Sequence, residues 1–310
     1  LRHLVGLGVA VLAVSSAAIL AKECRSPAPA TAFYRMGITF LFLLPAAWFR
    51  GRKDFAALDR RSVLLAFVAG ALLGAHYITW FSSLELTSVA SSVLLVSLHP
   101  LFVALLSSRI ARDRVRLSSM LAVLLSLGGA VLLSLGDLKI SADHWKGDLL
   151  ALVGGFLAAL YFLSGRVLRR GMALVPYMVL VYGCAAACTL VACLAMEVPL
   201  RGFDGRTYLL FLLLALVPTL VGHTLIGWVL RYLPAHVVSL SQLGEPVGAT
   251  LLAFFLLGEK PGKGFVGAAC LVLAGIGVLL ALEGQRIRAP RASVEADVVS
   301  GLDSGSEESP

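Results

Sequence analysis

Apolar residues in this chain neither alternate with polar ones nor recur only every third or fourth position. They form ten near-continuous runs: 4–21, 31–49, 62–84, 87–108, 117–136, 147–165, 176–196, 207–230, 235–257 and 264–283. A helix rises 1.5 Å per residue, so about 20 apolar residues cross the roughly 30 Å hydrocarbon layer of a bilayer. Strands of a membrane barrel would instead show segments of about ten residues with alternating polarity. The pattern predicts an all-α integral membrane protein of ten transmembrane helices, with neighbours antiparallel because the connections are short. Composition agrees: 59% of residues are apolar, 14% are charged and the mean hydropathy is +0.90. Ordinary globular domains are about 45–50% apolar and about 25% charged. A secreted enzyme, a nucleic-acid-binding domain and a disordered scaffold are therefore excluded as readings of the whole chain.

The net charge of +8 changes meaning once its residues are located, because most lie between the runs. With the N-terminus placed in the cytoplasm, seventeen Lys and Arg fall in inside segments and eight in outside ones, and Arg35 lies within a span. By the positive-inside rule both termini are expected in the cytoplasm, and the chain in the inner cell membrane. The first run, preceded by Arg2 and His3, also has the outline of a secretory signal. No clean small-x-small site follows it, and Lys22 and Glu23 flank Cys24, so it reads as a span. The polar stretch from Gly284 reads as a disordered cytoplasmic tail. Cys184, Cys188, Cys193 and Cys270 lie in apolar runs without metal-binding spacing and read as packing residues.

The two halves of the chain resemble each other at an offset near 146. His99-Pro100 aligns with Glu245-Pro246, Asp113-Arg114 with Glu259-Lys260, and Gly129 with Gly275. Similar endings follow, VLLSL at 131–135 and GVLLAL at 277–282. With a gap of two, Trp80 aligns with Trp228 and His76 falls one residue from His223. Each copy holds five spans, an odd number, so the copies must enter the bilayer in opposite directions. The predicted units are a five-helix repeat over 1–136, an inverted one over 137–283, and the tail 284–310. Such repeats place a substrate site at mid-membrane between the halves.

Several local patterns carry a family resemblance over about residues 4–283. They are Ala32-Phe33-Tyr34-Arg35 early in the second span, Ala90 to Arg114 with Pro100 in the fourth, Glu245-Pro246 in the ninth and Leu257-Gly258-Glu259-Lys260 at its end. The chain resembles the EamA-like branch of the drug/metabolite transporter superfamily. In the first copy Arg112-Asp113-Arg114 replaces Leu-Gly-Glu, and His99 replaces the acidic or small residue often found before that proline. The resemblance implies movement of small metabolites by alternating access.

Ionisable groups inside a bilayer cost at least about 2.5 kcal/mol each, so the few present are candidate site residues. Glu245 lies near the middle of the ninth run, and Pro246 removes the amide that would bond the carbonyl of Gln242. Gln242 and Glu245 share a face. Carboxylate, amide and freed carbonyl then form a notch for substrate, a coupling proton or both. The alternatives are a Glu bonded to a neighbouring helix, or Pro246 acting only as a kink. His99 is the pseudo-symmetric counterpart, with Pro100 freeing the carbonyl of Val96. His76 and Trp80, four apart, and His223 with nearby Trp228 form a candidate aromatic and imidazole lining; the alternative for the tryptophans is an interfacial belt. Arg35 either snorkels to the outer surface, pairs with a carboxylate such as Glu85, or attracts an anionic group of the substrate. Tyr34, Ser15, Ser16, Tyr161 and Tyr182 are further cavity candidates. Gly70-x-x-x-Gly74 and Gly154-Gly155 read as close-packing sites, and Pro218 as a kink that frees the carbonyl of Leu214. Asp113-Arg114 and Glu259-Lys260 read as interfacial anchors or, alternatively, as gating pairs.

The expected function is secondary-active transport of small, amino-acid-like or otherwise amphipathic solutes by alternating access, in the export direction. The partners expected are a small-molecule substrate and bilayer lipid, with protons as a candidate coupling ion, no nucleic acid and no second subunit. No cofactor and no catalysis are expected: HExxH, multi-His, Gly-x-Ser-x-Gly and Gly-x-x-x-x-Gly-Lys-Ser/Thr patterns are missing from the sequence. The alternatives are an intramembrane enzyme and a non-transporting membrane scaffold. A channel is disfavoured because the polar residues are single rather than ringed.

Overall fold

The computed structural model describes residues 2–134, 144–258, 261–262 and 264–283. The repeat boundary near 136, Glu259-Lys260 and the tail from 284 lie outside these residues. Among the described residues, nine helices are long and apolar enough to cross a membrane: α1 (Arg2–Ala21), α2 (Ala28–Phe49), α3 (Arg60–Leu86), α4 (Ser91–Ile110), α6 (Trp145–Arg169), α7 (Leu174–Ala195), α8 (Gly205–Val229), α9 (Ala235–Leu256) and α10 (Phe265–Glu283). The tenth, α5 (Leu117–Leu133), is a shorter apolar helix. The chain is an all-helical membrane protein.

Contacts between helix ends define two poles of the bundle. At one, Glu85 at the end of α3 accepts from the Ala28 amide opening α2 (3.1 Å), and Thr87 donates to Asp148 of α6 (2.7 Å). Arg206 of α8 bridges there to Glu23, just beyond α1 (2.5 Å). At the other pole, His3 stacks on Tyr232 past the end of α8 (4.1 Å between centroids). Glu283 accepts there from Ser119 of α5 (3.2 Å) and lies 3.5 Å from His236 of α9. Residues 3 and 283 thus share a pole, as an even number of crossings requires.

The inverted repeat is visible in the packing. α3 packs on α6 as α8 packs on α1; α3 also packs on α7 as α8 packs on α2; α2 meets α7, and α4 meets α9. The α5–α10 contact repeats the relation atom by atom. A Cβ on Gly129 would lie 2.8 Å from the Ala268 carbonyl and 2.7 Å from the Val272 amide. A Cβ on Gly275 would lie 2.8 Å from the Ala122 carbonyl and 2.9 Å from the Ser126 amide. Each partner is displaced by the same 146 positions as the glycines. Gly70 and Gly74 bring α3 against the backbone of α7, and Gly155 brings α6 against that of α4, at the separations small residues permit.

Prolines shape the helices that reach the centre. α4 is broken between Val89–Val96 and His99–Ile110, and α9 between Ala235–Ser241 and Gly244–Leu257. Both breaks sit just ahead of the paired prolines, which lack the amide that a continuing helix needs. In α8, Pro218 lies in a π-helical stretch, Ala215–His223, whose bonds reach five residues back, and Thr219 Oγ1 also donates to the carbonyl of Leu214 (2.8 Å).

Candidate functional site

The broken helices α4 and α9 meet α1, α2, α3, α6 and α8 around a central cavity with about 70 Å³ of accessible space. Arg35 enters from α2. It is 1% exposed, so it does not snorkel to the surface. The Glu85 pairing is also not made, because that carboxylate caps α2 through the Ala28 amide. Arg35 donates Nε to Thr219 Oγ1 (2.7 Å), and its guanidinium lies 4.3 Å from the centroid of the Tyr77 ring. Thr219 Oγ1 thus accepts from Arg35 and donates to the Leu214 carbonyl within the π-helical stretch that holds Pro218. Nη1 of Arg35 has no protein partner.

α3 supplies three adjoining rings, with His76 stacked on Trp80 at 5.8 Å and Tyr77 beside both. His76 Nδ1 lies 2.9 Å from the Gly154 carbonyl. A carbonyl only accepts, so Nδ1 carries the hydrogen, and in the neutral ring Nε2 is left as an acceptor. The Tyr77 hydroxyl meets His223 Nε2 of α8 at 2.9 Å. On α4, His99 stacks on Phe162 of α6 (5.4 Å) and donates Nδ1 to the Val96 carbonyl (3.2 Å), the one that Pro100 strands. On α9 the arrangement differs from expectation. The Gln242 carbonyl is not free, because the Glu245 amide donates to it at 2.8 Å. What remains for the cavity is the Glu245 side chain and the Gln242 amide, whose Nε2 has no protein partner.

Of the nine residues named from sequence, seven line this cavity: Arg35, His76, Trp80, His99, His223, Gln242 and Glu245. Two do not. Tyr34 stacks on Phe211 (4.4 Å) and donates to the Leu200 carbonyl (2.5 Å), in an aromatic cluster at the Glu85 pole. It adjoins Arg35 in sequence, and consecutive helical residues point about 100° apart. Trp228 lies at the opposite pole, over Gly6 and against His3 and Tyr232, as an interfacial residue does. Ser15 donates to Val11 of its own helix (2.8 Å). Sequence reasoning left out Phe162, Ser97, Val93 and Ala158, which carry no charge or repeat signal, and gave Tyr77 no role beyond adjacency. Spacing was the missed signal: Tyr77 is three before Trp80, as His76 is four before it, so each adjoins Trp80 on the helix surface.

A second cavity of about 200 Å³ reaches from the centre toward the Glu85 pole. α1, α2, α3 and the start of α4 enclose it, and Trp80 and Val93 form a wall common to both cavities. Cys24, Ser26 and Glu85 lie at its rim. Among the described residues no cluster of three His, Cys, Asp or Glu side chains has metal-ligand geometry.

A model of the EamA-like transporter family matches residues 3–135 and 145–281. The chain belongs to the EamA-like transporter family. It is 27% identical over 246 residues to an uncharacterized transporter of Archaeoglobus fulgidus, covering 79% of this chain and 83% of that one. A solved crystal structure superposes with a TM-score of 0.74 at 22% identity, covering 91% of this chain and 97% of the other, which shows a shared fold. This EamA-like protein is a multi-pass membrane transporter of small molecules.

Proposed function

We propose that the central cavity is the substrate site of a secondary carrier that works by alternating access and exports small amphipathic solutes such as amino acids. One observation carries this reading: a buried guanidinium with a spare donor and a carboxylate face the same small cavity, with aromatic rings between them. Arg35 Nη1, Trp80 Nε1 and Gln242 Nε2 are donors without protein partners and suit a carboxylate of the solute. Glu245 suits its ammonium group, and the Trp80, Tyr77 and Phe162 faces suit its apolar part. Glu245 is also the group that would carry a coupling proton when the solute is absent.

The arginine-rich pole, which holds Arg166, Arg169, Arg170 and Arg231, is taken as cytoplasmic by the positive-inside rule. The experiment is flux in reconstituted vesicles with a set of isotope-labelled amino acids, run with and without an imposed pH gradient. Saturable flux that responds to the gradient is the expected result. Flux that rises linearly with concentration for every solute would remove the carrier reading. Chemical conversion without flux would replace it with an intramembrane enzyme.

A further inference from the structure

An inverted repeat gives each cavity a counterpart. The cavity toward the Glu85 pole is enclosed by α1, α2, α3 and α4, so its counterpart is the space among α6, α7, α8 and α9 at the opposite pole. That space is filled. Tyr177 of α7 lies in a groove between glycines of α6 and α8: a Cβ on Gly165 would come 2.7 Å from its hydroxyl, and one on Gly227 3.3 Å from its ring. Arg169, 1% exposed, spans the same groove, donating Nε to the Gly227 carbonyl (2.8 Å) and Nη1 to that of Met172.

The hydroxyls of Tyr161, Tyr177, Tyr182 and Thr224 are buried there as two adjoining pairs, Tyr161 with Tyr177 and Tyr182 with Thr224, neither closed to a well-formed hydrogen bond. Hydroxyls that meet only one another, short of good hydrogen-bond geometry, are poorly satisfied in a permanently dry helix interface, where they forfeit bonds to water. They suit a surface that becomes wet in another state of the protein. Beyond them the pole is clamped. Asp113, after α4, takes Arg166 at 3.0 Å and Arg170 at 2.6 Å, both from the end of α6. Arg166 also donates to the Leu230 carbonyl after α8 (2.8 Å). Three helix ends are thus tied through one carboxylate and one arginine.

We propose that the α6–α9 groove is the closed half of the solute's route, with Tyr177 as its plug and Asp113 as its latch. Tyr161, Tyr182 and Thr224 form the wall the solute passes once the latch opens. This rests on the alternating-access reading above and adds which pole is shut and what shuts it. Releasing Asp113 lets the ends of α4, α6 and α8 part, wets the tyrosines and closes the Glu85-pole cavity around Trp80.

The test uses native Cys24 at the rim of the open cavity, with the four cysteines inside the spans replaced, and Tyr161→Cys or Tyr182→Cys added singly. Vesicles are treated from each side with a membrane-impermeant methanethiosulfonate. In the parent protein Cys24 reacts and the introduced cysteines are protected. With Asp113→Asn added, labelling at Tyr161→Cys from the opposite side rises, and that of Cys24 falls, each by about fivefold or more, the low end of typical coupling between sites. Arg170→Gln, at a partly exposed position, removes one bond of the clamp and serves if Asp113→Asn does not fold. Protected cysteines at both positions in every latch variant, alongside saturable amino-acid flux in the same vesicles, would overturn the route while leaving the carrier in place. Loss of saturable flux in the parent protein would strike the carrier reading and the route with it.

Discussion

The breaks in α4 and α9 are the same device with two different outcomes. Each has a proline at the equivalent place, and each strands a carbonyl four residues earlier. In α4 the Val96 carbonyl is taken by Nδ1 of His99, so that side chain closes its own break and offers the cavity only Nε2. In α9 the Gln242 carbonyl is taken by the main-chain amide of Glu245, so the carboxylate is left to the cavity. A duplicated fold therefore need not have a duplicated site. In the first copy a side chain closes the break, and in the second the main chain does, which leaves the Glu245 side chain to the cavity.

Two substitutions should separate these roles. Glu245→Gln keeps the amide that closes the break and loses the charge, so it should lower amino-acid flux by about a hundredfold, as losing a charge-assisted bond of about 3 kcal/mol does. It should also abolish the response to a pH gradient and leave the thermal transition of the detergent-solubilised protein nearly unmoved. His99→Ala should do the reverse, destabilising by about 1–3 kcal/mol because the buried Val96 carbonyl loses its donor. Its flux per folded molecule should fall only severalfold. Equal flux losses for the two variants would mean that the copies share one role.

Much of this was legible in the chain. Run lengths predict every span, and ordered matches at one offset predict the inverted repeat, because both follow from the thickness of the bilayer and the parity of five helices. Glu245, Gln242 and His99 were found because prolines mark where a helix turns polar groups inward. Arg35 was named, but its burial was not foreseen. A long side chain one turn inside a span can snorkel, but Thr219 in the π-helical part of α8 and the Tyr77 ring hold this one inward, and neither contact is written in the local sequence. Tyr34 and Trp228 misled because they sit beside or opposite true lining residues, and a linear pattern fixes a helical face less sharply than a pole. The clamp was half visible: Asp113 stood out, but its partners are Arg166 and Arg170 from α6 rather than the adjacent Arg114.

Arg35 and the two tryptophans sharpen the contrast between centre and pole. Arg35→Lys keeps a charge but not the fork that reaches Thr219 while offering Nη1 to the cavity, so flux should fall by about tenfold, a loss near 1.4 kcal/mol. Trp80→Phe removes an unpartnered indole donor from the wall common to both cavities and should raise the half-saturating amino-acid concentration several times over. The matched change Trp228→Phe lies at the His3 pole and should leave that concentration unchanged. A shift with Trp228→Phe equal to that with Trp80→Phe would place both rings on the solute's route.

The smallest effect on transport, and the most direct check of the fold's symmetry, belongs to the glycines of α5 and α10. A methyl at Gly129 or at Gly275 would press on main-chain atoms of the facing helix from 2.7 to 2.9 Å, inside any real carbon contact. Main chain cannot swing aside as a side chain can, so the two helices must part. Each of Gly129→Ala and Gly275→Ala should destabilise by about 1–3 kcal/mol. Because both methyls would push on one interface, the first substitution already opens part of the space the second needs. The double variant should therefore lose less stability than the two losses added, with a coupling of about 0.5 kcal/mol or more. Neither helix lines the central cavity, so flux per folded molecule should stay within about twofold of the parent, the change that roughly 0.4 kcal/mol of barrier makes. Strict additivity in thermal unfolding would show that the two glycines do not share an interface, and the atom-by-atom correspondence between α5 and α10 would be lost.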